Sequence, residues 1–518
     1  MHQNLDQLTS FNQLKQSTKI HLKDVITPSR ISGWQLEAGG GLTYNYAFKA
    51  INDNHLKLLS SLADEQQLIA KYHALLKGEV MNTGEKRLVL HHLTRGELLG
   101  PVSHEGKDLG AFYRSEQERI AEFAGQIHSG QLVGSTGKQF DTVVQIGIGG
   151  SDLGPRALYL ALERASPKLM QAYFISNVDP DDAANIMAKL NLESTLFILV
   201  SKSGTTQETL ANYQLVNKLA KEKAPTNYNP SKHIIAITSQ SSPMANNPNY
   251  LNSFYIDDFI GGRYSSTSAV GGALLSLAFG SKVFAELLAG AHEADKLALQ
   301  ANPLQNAAML DALIGLYERN VLGYAATAVL PYSEALSRFV AHLQQVDMES
   351  NGKTVNRFSQ PISYATGPVI FGEPGTNGQH SFYQLLHQGS DIIPLQFVGF
   401  KHSQLGSDIT YEGSSSQTKL KANLAAQIMA FALGHRNTDA NKNFTGERPA
   451  SLIYGDKLNA KALGALLAHF ENKVMFQGFL WNLNSFDQEG VQLGKLLTNN
   501  LLAGKADENL TALAGLFL

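Results

Sequence analysis

The run Ile146-Gly147-Ile148-Gly149-Gly150-Ser151-Asp152-Leu153-Gly154-Pro155 turns an apolar stretch into a glycine-rich bend that opens a helix. Such a bend can cradle a phosphate, because the first N–H groups of the helix have no intrahelical partner and face an anion. Gly149 and Gly150 carry no Cβ to obstruct an approaching ligand, and Ser151 adds a hydroxyl. Simple chain reversal would use the same residues. The dinucleotide fingerprint would need glycine at 147, 149 and 152, and Asp152 stands at the third, so a Rossmann oxidoreductase is disfavoured.

A second cradle follows the apolar run 195–200: Ser201-Lys202-Ser203-Gly204-Thr205-Thr206-Gln207-Glu208-Thr209. Helix capping alone would account for Thr205 or Thr206. The whole cluster, hydroxyls beside an ammonium at a helix start, suits a monophosphate held without a metal. Two such turns at the carboxyl ends of neighbouring strands face one crevice, so one phosphate can be gripped from two sides.

A base, an acid and a charge stabiliser must come from elsewhere. Gln345-Val346-Asp347-Met348-Glu349-Ser350-Asn351-Gly352-Lys353-Thr354 ends like a nucleotide P-loop, but Asp347 replaces its opening glycine and Glu349 would repel a triphosphate. Glu349, expected on a polar loop beyond a helix, is a base or a solvated charge. In Gly372-Glu373-Pro374-Gly375-Thr376-Asn377-Gly378-Gln379-His380-Ser381-Phe382, His380 is expected at a helix start. That position favours neutral imidazole and proton exchange near pH 7, unless the ring only caps or packs. Lys495 follows the Asp487-Gln488 turn, and Arg263 sits on the Gly261-Gly262 turn as an ion-pair donor or a stabiliser of developing negative charge.

These residues need a scaffold of strands ending at one crevice. Leu68, Ile69, Tyr72, Leu75 and Leu76 form a helical stripe stopping at Gly78, and Phe112, Arg119, Ile120, Phe123 and Ile127 form another ending near Gly130. The first hundred residues are therefore read as mainly helical. Strands are predicted at 142–146, 172–176, 195–200 and 233–238, alternating with helices such as 206–221, and again at 325–330, 368–371, 392–398 and 451–454. One long helical passage is predicted over 268–299, including a buried helix within 265–281, and 491–518 reads as helical. The fold class is α/β, with two doubly wound parallel-sheet lobes in three αβα layers and helical arms at both ends. The divisions are 1–105 for the N-terminal arm, 106–285 for the first lobe, 286–490 for the second, and 491–518 for the C-terminal segment.

A net charge of −3 supplies no basic field for nucleic acid, and no Lys/Arg block marks membrane anchorage. Without cysteine there is no disulfide, thiolate metal site or thiol redox chemistry. The polar first residues lack the apolar core of a secretion signal, which makes the cytoplasm the default.

Taken together, GIGGSDLGP, SKSGTT, GGRYS, MESNGK, GEPGTNGQHSF and the segment from Asn484 to Lys495 resemble the phosphoglucose isomerase family, in family order from about Asn82 to Lys495. The resemblance implies two sugar-isomerase lobes in a homodimer, without metal or organic cofactor. The implied reaction interconverts D-glucose 6-phosphate and D-fructose 6-phosphate through a cis-enediolate. By the same likeness Gly150, Ser151, Ser201, Lys202, Ser203 and Thr206 bind the phosphate, and Gln345 and Gln488 touch the sugar. Glu349 is then the base between C1 and C2, and Arg263 steadies the enediolate. His380, reaching across from the partner subunit, and Lys495 assist ring opening. Glu489 stands where many members carry Trp, and Gln492 where they carry Glu. A non-enzymatic sugar-phosphate sensor on the same lobes would need a DNA- or partner-binding appendage, and no convincing helix-turn-helix is present. A third reading keeps the enzyme class with mannose 6-phosphate or an amino-sugar phosphate as substrate.

Overall fold

The computed structural model describes residues 2–518. Its first sheet is wholly parallel, with spatial order Gln171–Ile175, Thr142–Ile146, Thr195–Val200, Ile234–Thr238 and Asn252–Tyr255. Every residue of Thr195–Val200 is buried, because this central strand is covered on both faces. Its side chains alternate accordingly. Leu196, Ile198 and Val200 join the core that contains Ile120, Phe123 and Leu274, whereas Phe197 and Leu199 pack with Met187, Val216 and Ala220. That alternation is the three-layer arrangement expected from the sequence. Asn252–Tyr255 was not foreseen: it is a short edge strand opening on Asn and Ser, residues that signal loops.

The second sheet is mixed. Ala450–Gly455, Leu395–Phe400, Ala326–Pro331 and Val369–Phe371 are parallel neighbours, as the alternating pattern implies. The N-terminal arm then extends this sheet with a hairpin, Gln35–Gly39 and Leu42–Asn45, the latter antiparallel to Ala450–Gly455. The arm is thus not helical throughout. Its hairpin turn, Gly39-Gly40-Gly41, slots between the helices Ser281–Leu297 and Ala460–Leu480, where added Cβ atoms would meet Ala294 and Ala465. That tertiary fit, rather than strand propensity, fixes the segment.

The helical passage 268–299 holds two helices, the first of them the buried helix expected within 265–281. Ala269–Phe279 is buried along its whole length, and Gly280 at φ +92° ends it before Ser281–Leu297 begins. Leu395–Phe400 starts later than the expected 392, since Pro394 has no N–H to give the ladder. At the C-terminus, Gln492–Leu502 and Glu508–Ala514 are helical as expected, and none of the former's residues is buried. Among the described residues, no helix is long and apolar enough to cross a membrane.

Candidate active site

Both cradles open from the carboxyl ends of adjacent strands: Thr142–Ile146 leads into the turn Gly149–Ser151, and Thr195–Val200 into Ser201. Together they line a cavity of about 650 Å³. Gly150, Ser151, Ser201, Lys202, Ser203 and Thr206 form one part of its wall, and Gln345, Glu349, Gln488 and Lys495 another. Arg263 and His380 are the two expected site residues outside that lining.

Thr206 occupies the position before the helix Gln207–Lys223, yet its side chain makes no capping bond. Its hydroxyl pairs with Ser201 Oγ at 3.0 Å instead. The first N–H groups of a long helix thus remain for an anion, which favours the phosphate reading of this cluster over the capping one. Lys202 donates to the Ile260 carbonyl at 3.2 Å and lies 4.0 Å from Asp258. Burial lowers the Lys202 ammonium's pKa, and the Asp258 carboxylate pulls it back up. A bound phosphate would act in the same sense as Asp258. Asp152, the residue that spoils a dinucleotide fingerprint, is turned aside into a 2.7 Å ion pair with Arg156.

Gly150 is required for a different reason from the one expected. A Cβ there would lie 2.2 Å from the Gly262 carbonyl carbon and oxygen, so the missing side chain admits the 261–262 turn rather than the ligand. The two glycine turns are packed backbone to backbone, and the second delivers Arg263.

Glu349 is not on a loop. The helix Phe339–Gln344 runs on into a π-helical turn, Gln345–Glu349, which sets its first and last residues on the cavity wall. Wide turns of this kind recur at functional sites because they re-aim side chains within an otherwise regular helix. The Glu349 side chain is 22% exposed, and its Oε1 lies 3.6 Å from Nη1 of Arg263, whose side chain is 1% exposed. Arg263 is anchored on its other edges: Nε donates to Ser350 Oγ at 2.7 Å, and Nη2 to the Ser485 and Asp487 carbonyls at 2.6 and 2.8 Å. Gln345 Oε1 is buried without a hydrogen-bond partner, as an oxygen reserved for a ligand N–H or hydroxyl would be. Asp347, two residues from the base candidate, is itself buried, and that burial pushes its carboxyl up to about 7 despite Lys473.

The turn carrying Gln488 is braced by a Lys353–Asp487 ion pair and by Asn484 Nδ2 donating to Asp487 Oδ2 at 2.7 Å. Lys495 stands exposed on Gln492–Leu502, facing the same cavity. His380 is exposed and ends a 3-10 turn, Asn377–His380, with Ser381 and Phe382 between it and the helix Tyr383–Gln388. It is therefore not at a helix start, and the dipole argument for a neutral ring fails. Sequence reasoning missed Glu85, Asp258 and Tyr264 as cavity residues. Tyr264 had a signal in its place inside the GGRYS segment, and Glu85 in its place just after Asn82, where the family resemblance begins.

The arrangement can hold one phosphate, present a carboxylate and a guanidinium to a neighbouring carbon, and reach that carbon's oxygens with an ammonium. Residues 45–512 match the sequence profile described as phosphoglucose isomerase. The glucose-6-phosphate isomerase of Treponema denticola is 60% identical, with 99% of each chain covered. That of Borreliella burgdorferi is 50% identical over 97% of this chain and 96% of its own. The crystal structure of a glucose-6-phosphate isomerase from Chlamydia trachomatis superposes with a TM-score of 0.93 at 41% identity, covering 99% of both chains.

Proposed function

The chain belongs to the phosphoglucose isomerase family and interconverts D-glucose 6-phosphate and D-fructose 6-phosphate in glycolysis and gluconeogenesis; on that premise we propose that Glu349 is the base that carries the proton between C1 and C2. Its carboxylate takes the C2 proton of the open aldose, and the released electron pair forms the C1–C2 double bond while O1 becomes anionic. Arg263 offsets that charge through Nη1. Glu349 then returns its proton to C1 as the C2 carbonyl forms, and the O2 hydroxyl proton passes to O1, leaving the neutral ketose. One carboxylate serves both steps because the two carbons are adjacent. The observation that carries this reading is the 3.6 Å approach of Arg263 to Glu349 beside two hydroxyl-rich anion cradles.

Gly150, Ser151, Ser201, Lys202, Ser203 and Thr206 grip the phosphate and fix the hexose, an interaction equal in ground and transition states. Gln345 and Gln488 orient the sugar hydroxyls. Lys495 and His380 of the partner subunit open the ring, the exposed lysine offering its charge to the ring oxygen side. The assembly is a homodimer in which each subunit lends His380 to the other's cavity, in keeping with the exposure of His380 and its absence from its own chain's cavity lining. We place the protein in the cytoplasm, where phosphorylated hexoses are retained by their charge. Refolding Glu349→Gln and His380→Ala chains together tests the shared site. Each variant alone should be nearly inactive, while random pairing should restore about a quarter of native activity, since half the dimers then hold one intact site. No regain would mean that His380 serves its own chain or none.

Gly150→Ala should act on Arg263 in addition to any effect at the cradle. The new Cβ displaces the 261–262 turn, and a shift near 1 Å at Arg263 costs about 10²-fold in kcat. Overpacking of this kind also destabilises by about 1–3 kcal/mol, visible as a lower melting temperature. Native kcat in the variant would show that the turn does not set the guanidinium's place.

A further inference from the structure

Lys353 lies outside the cavity lining, although its place at the end of a P-loop-like run is one that elsewhere serves an anion. Its ammonium goes to a different task. Nζ donates to the Asn484 carbonyl and to Oδ1 of Asp487, drawing both ends of the 484–487 turn onto one cation. The pair is largely buried, with 16% and 13% of the two side chains exposed. Burial lowers the Lys353 pKa, and Asp487 beside it raises it again. The other Asp487 oxygen accepts from Asn484 Nδ2 at 2.7 Å, and that amide also donates to Asn82 Oδ1 at 3.0 Å. The turn is thus fastened within itself and to the 82–85 segment.

This turn carries the oxygens that orient Arg263. Both Nη2 hydrogens go to its main chain, to the Ser485 carbonyl at 2.6 Å and the Asp487 carbonyl at 2.8 Å. Because a guanidinium is planar and rigid, those two carbonyls together with Ser350 Oγ on Nε fix the direction of Nη1, the nitrogen that approaches Glu349. We propose that Lys353 is a positioning residue: by clamping the 484–487 turn, it holds the two carbonyls that aim Arg263 at the enediolate oxygens. The chain leaving the base supplies every fastener in turn. Ser350 meets Nε, Asn351 Oδ1 accepts from Ser485 Oγ at 2.6 Å, and Lys353 takes Asn484 and Asp487. The carboxylate and the partners of its guanidinium therefore sit on one short segment, 349–353, and keep their spacing as a unit. The inference rests on the reading of Arg263 as the counter-charge to the enediolate.

Lys353→Met keeps the length of the stem and removes the cation. kcat should fall about tenfold or more, since misplacing a reacting group by about 1 Å costs up to about 10²-fold. The inhibition constant for inorganic phosphate should stay within about twofold, because the cradle is built by other segments. A double-variant cycle separates aiming from general loosening. In an Arg263→Lys background, Lys353→Met should cost less than about twofold in kcat, since no guanidinium is left to aim. Lys353→Met also strands the Asp487 carboxylate, a destabilising charge that Lys353→Met/Asp487→Asn removes. That pair of substitutions should be as slow as Lys353→Met alone, and it decides by the same kcat and phosphate criteria if the single variant does not fold. Native kcat in Lys353→Met, its recovery when Asp487→Asn is added, or an equal fold loss with and without Arg263→Lys overturns the proposal. Native turnover in Arg263→Lys by itself would instead refute the underlying reading of Arg263, a result obtained without touching Lys353.

Discussion

Glu349→Gln should lower kcat by about 10³-fold while leaving KM for glucose 6-phosphate close to native, since general-base groups contribute about 10²–10⁴-fold. The amide matches the carboxylate in shape and takes no proton at neutral pH, so the cradle built by Ser151, Ser201, Lys202 and Thr206 still binds the phosphate. Two measurements separate binding from chemistry. Equilibrium titration with the sugar phosphate should give a native affinity, and substrate deuterated at C2 should keep its label in the variant while the native protein washes it out into water. A variant that still exchanges the label would remove Glu349 from the proton path. Among the described residues, Glu85, Glu208, Asp258 and Glu349 are the carboxylates lining the cavity, and of these Glu349 alone pairs with Arg263, so the loss is expected to be large. Asp347, the nearest in sequence, is buried toward Lys473 rather than the cavity, and Glu85 and Asp258 stand beside Arg87 and Lys202.

Arg263→Lys is expected to be nearly as severe, about 10²–10³-fold in kcat, the usual cost of one well-aimed donor to a developing oxyanion. Charge is conserved in this variant, so the loss reports geometry. A lysine ammonium is a point donor on a flexible stem and cannot meet Ser350 Oγ, the Ser485 and Asp487 carbonyls and the cavity at once. Its substitution also leaves buried carbonyls without donors, each unmade bond costing about 1–3 kcal/mol. A drop in melting temperature should therefore accompany the kinetic loss. Preserved kcat with lower stability would assign Arg263 a purely structural part. Affinity for inorganic phosphate should be unaffected, which distinguishes this variant from damage to the cradle.

The proposed phosphate end of the site is local in sequence. Each cradle is one strand, one turn and one helix start, and the structure keeps each as read, with Thr206 released from capping duty. The reacting end is assembled from segments far apart in the chain, and its physics is correspondingly hidden. Nothing in the residues from Gln345 to Glu349 announces a π-helical turn, because the extra residue per turn is imposed by what the flanking helix packs against. Arg263 reads as a cation on a glycine turn, but its partners Ser485 and Asp487 lie more than two hundred positions away. Gly150 was read as making room for a ligand, whereas the space belongs to Gly262. The same distinction runs through the fold. Alternating apolar strands and amphipathic helices were visible where burial sets a period, as at Thr195–Val200 and Leu109–His128. The hairpin Gln35–Gly39 and Leu42–Asn45 was invisible because its place is fixed by pairing with Ala450–Gly455, at the other end of the chain.

The most direct test is a crystal grown with a hydroxamate that mimics the enediolate of the six-carbon sugar phosphate. One Glu349 oxygen should then lie within about 3–3.5 Å of the atoms standing for C1 and C2, the separation of reacting groups poised for transfer. Arg263 Nη1 should reach the analogue's oxyanion, and the phosphate should sit between Ser151 and Thr206. A complex with the phosphate so placed and the Glu349 carboxylate turned away from the analogue, its oxygens in solvent, would contradict the account.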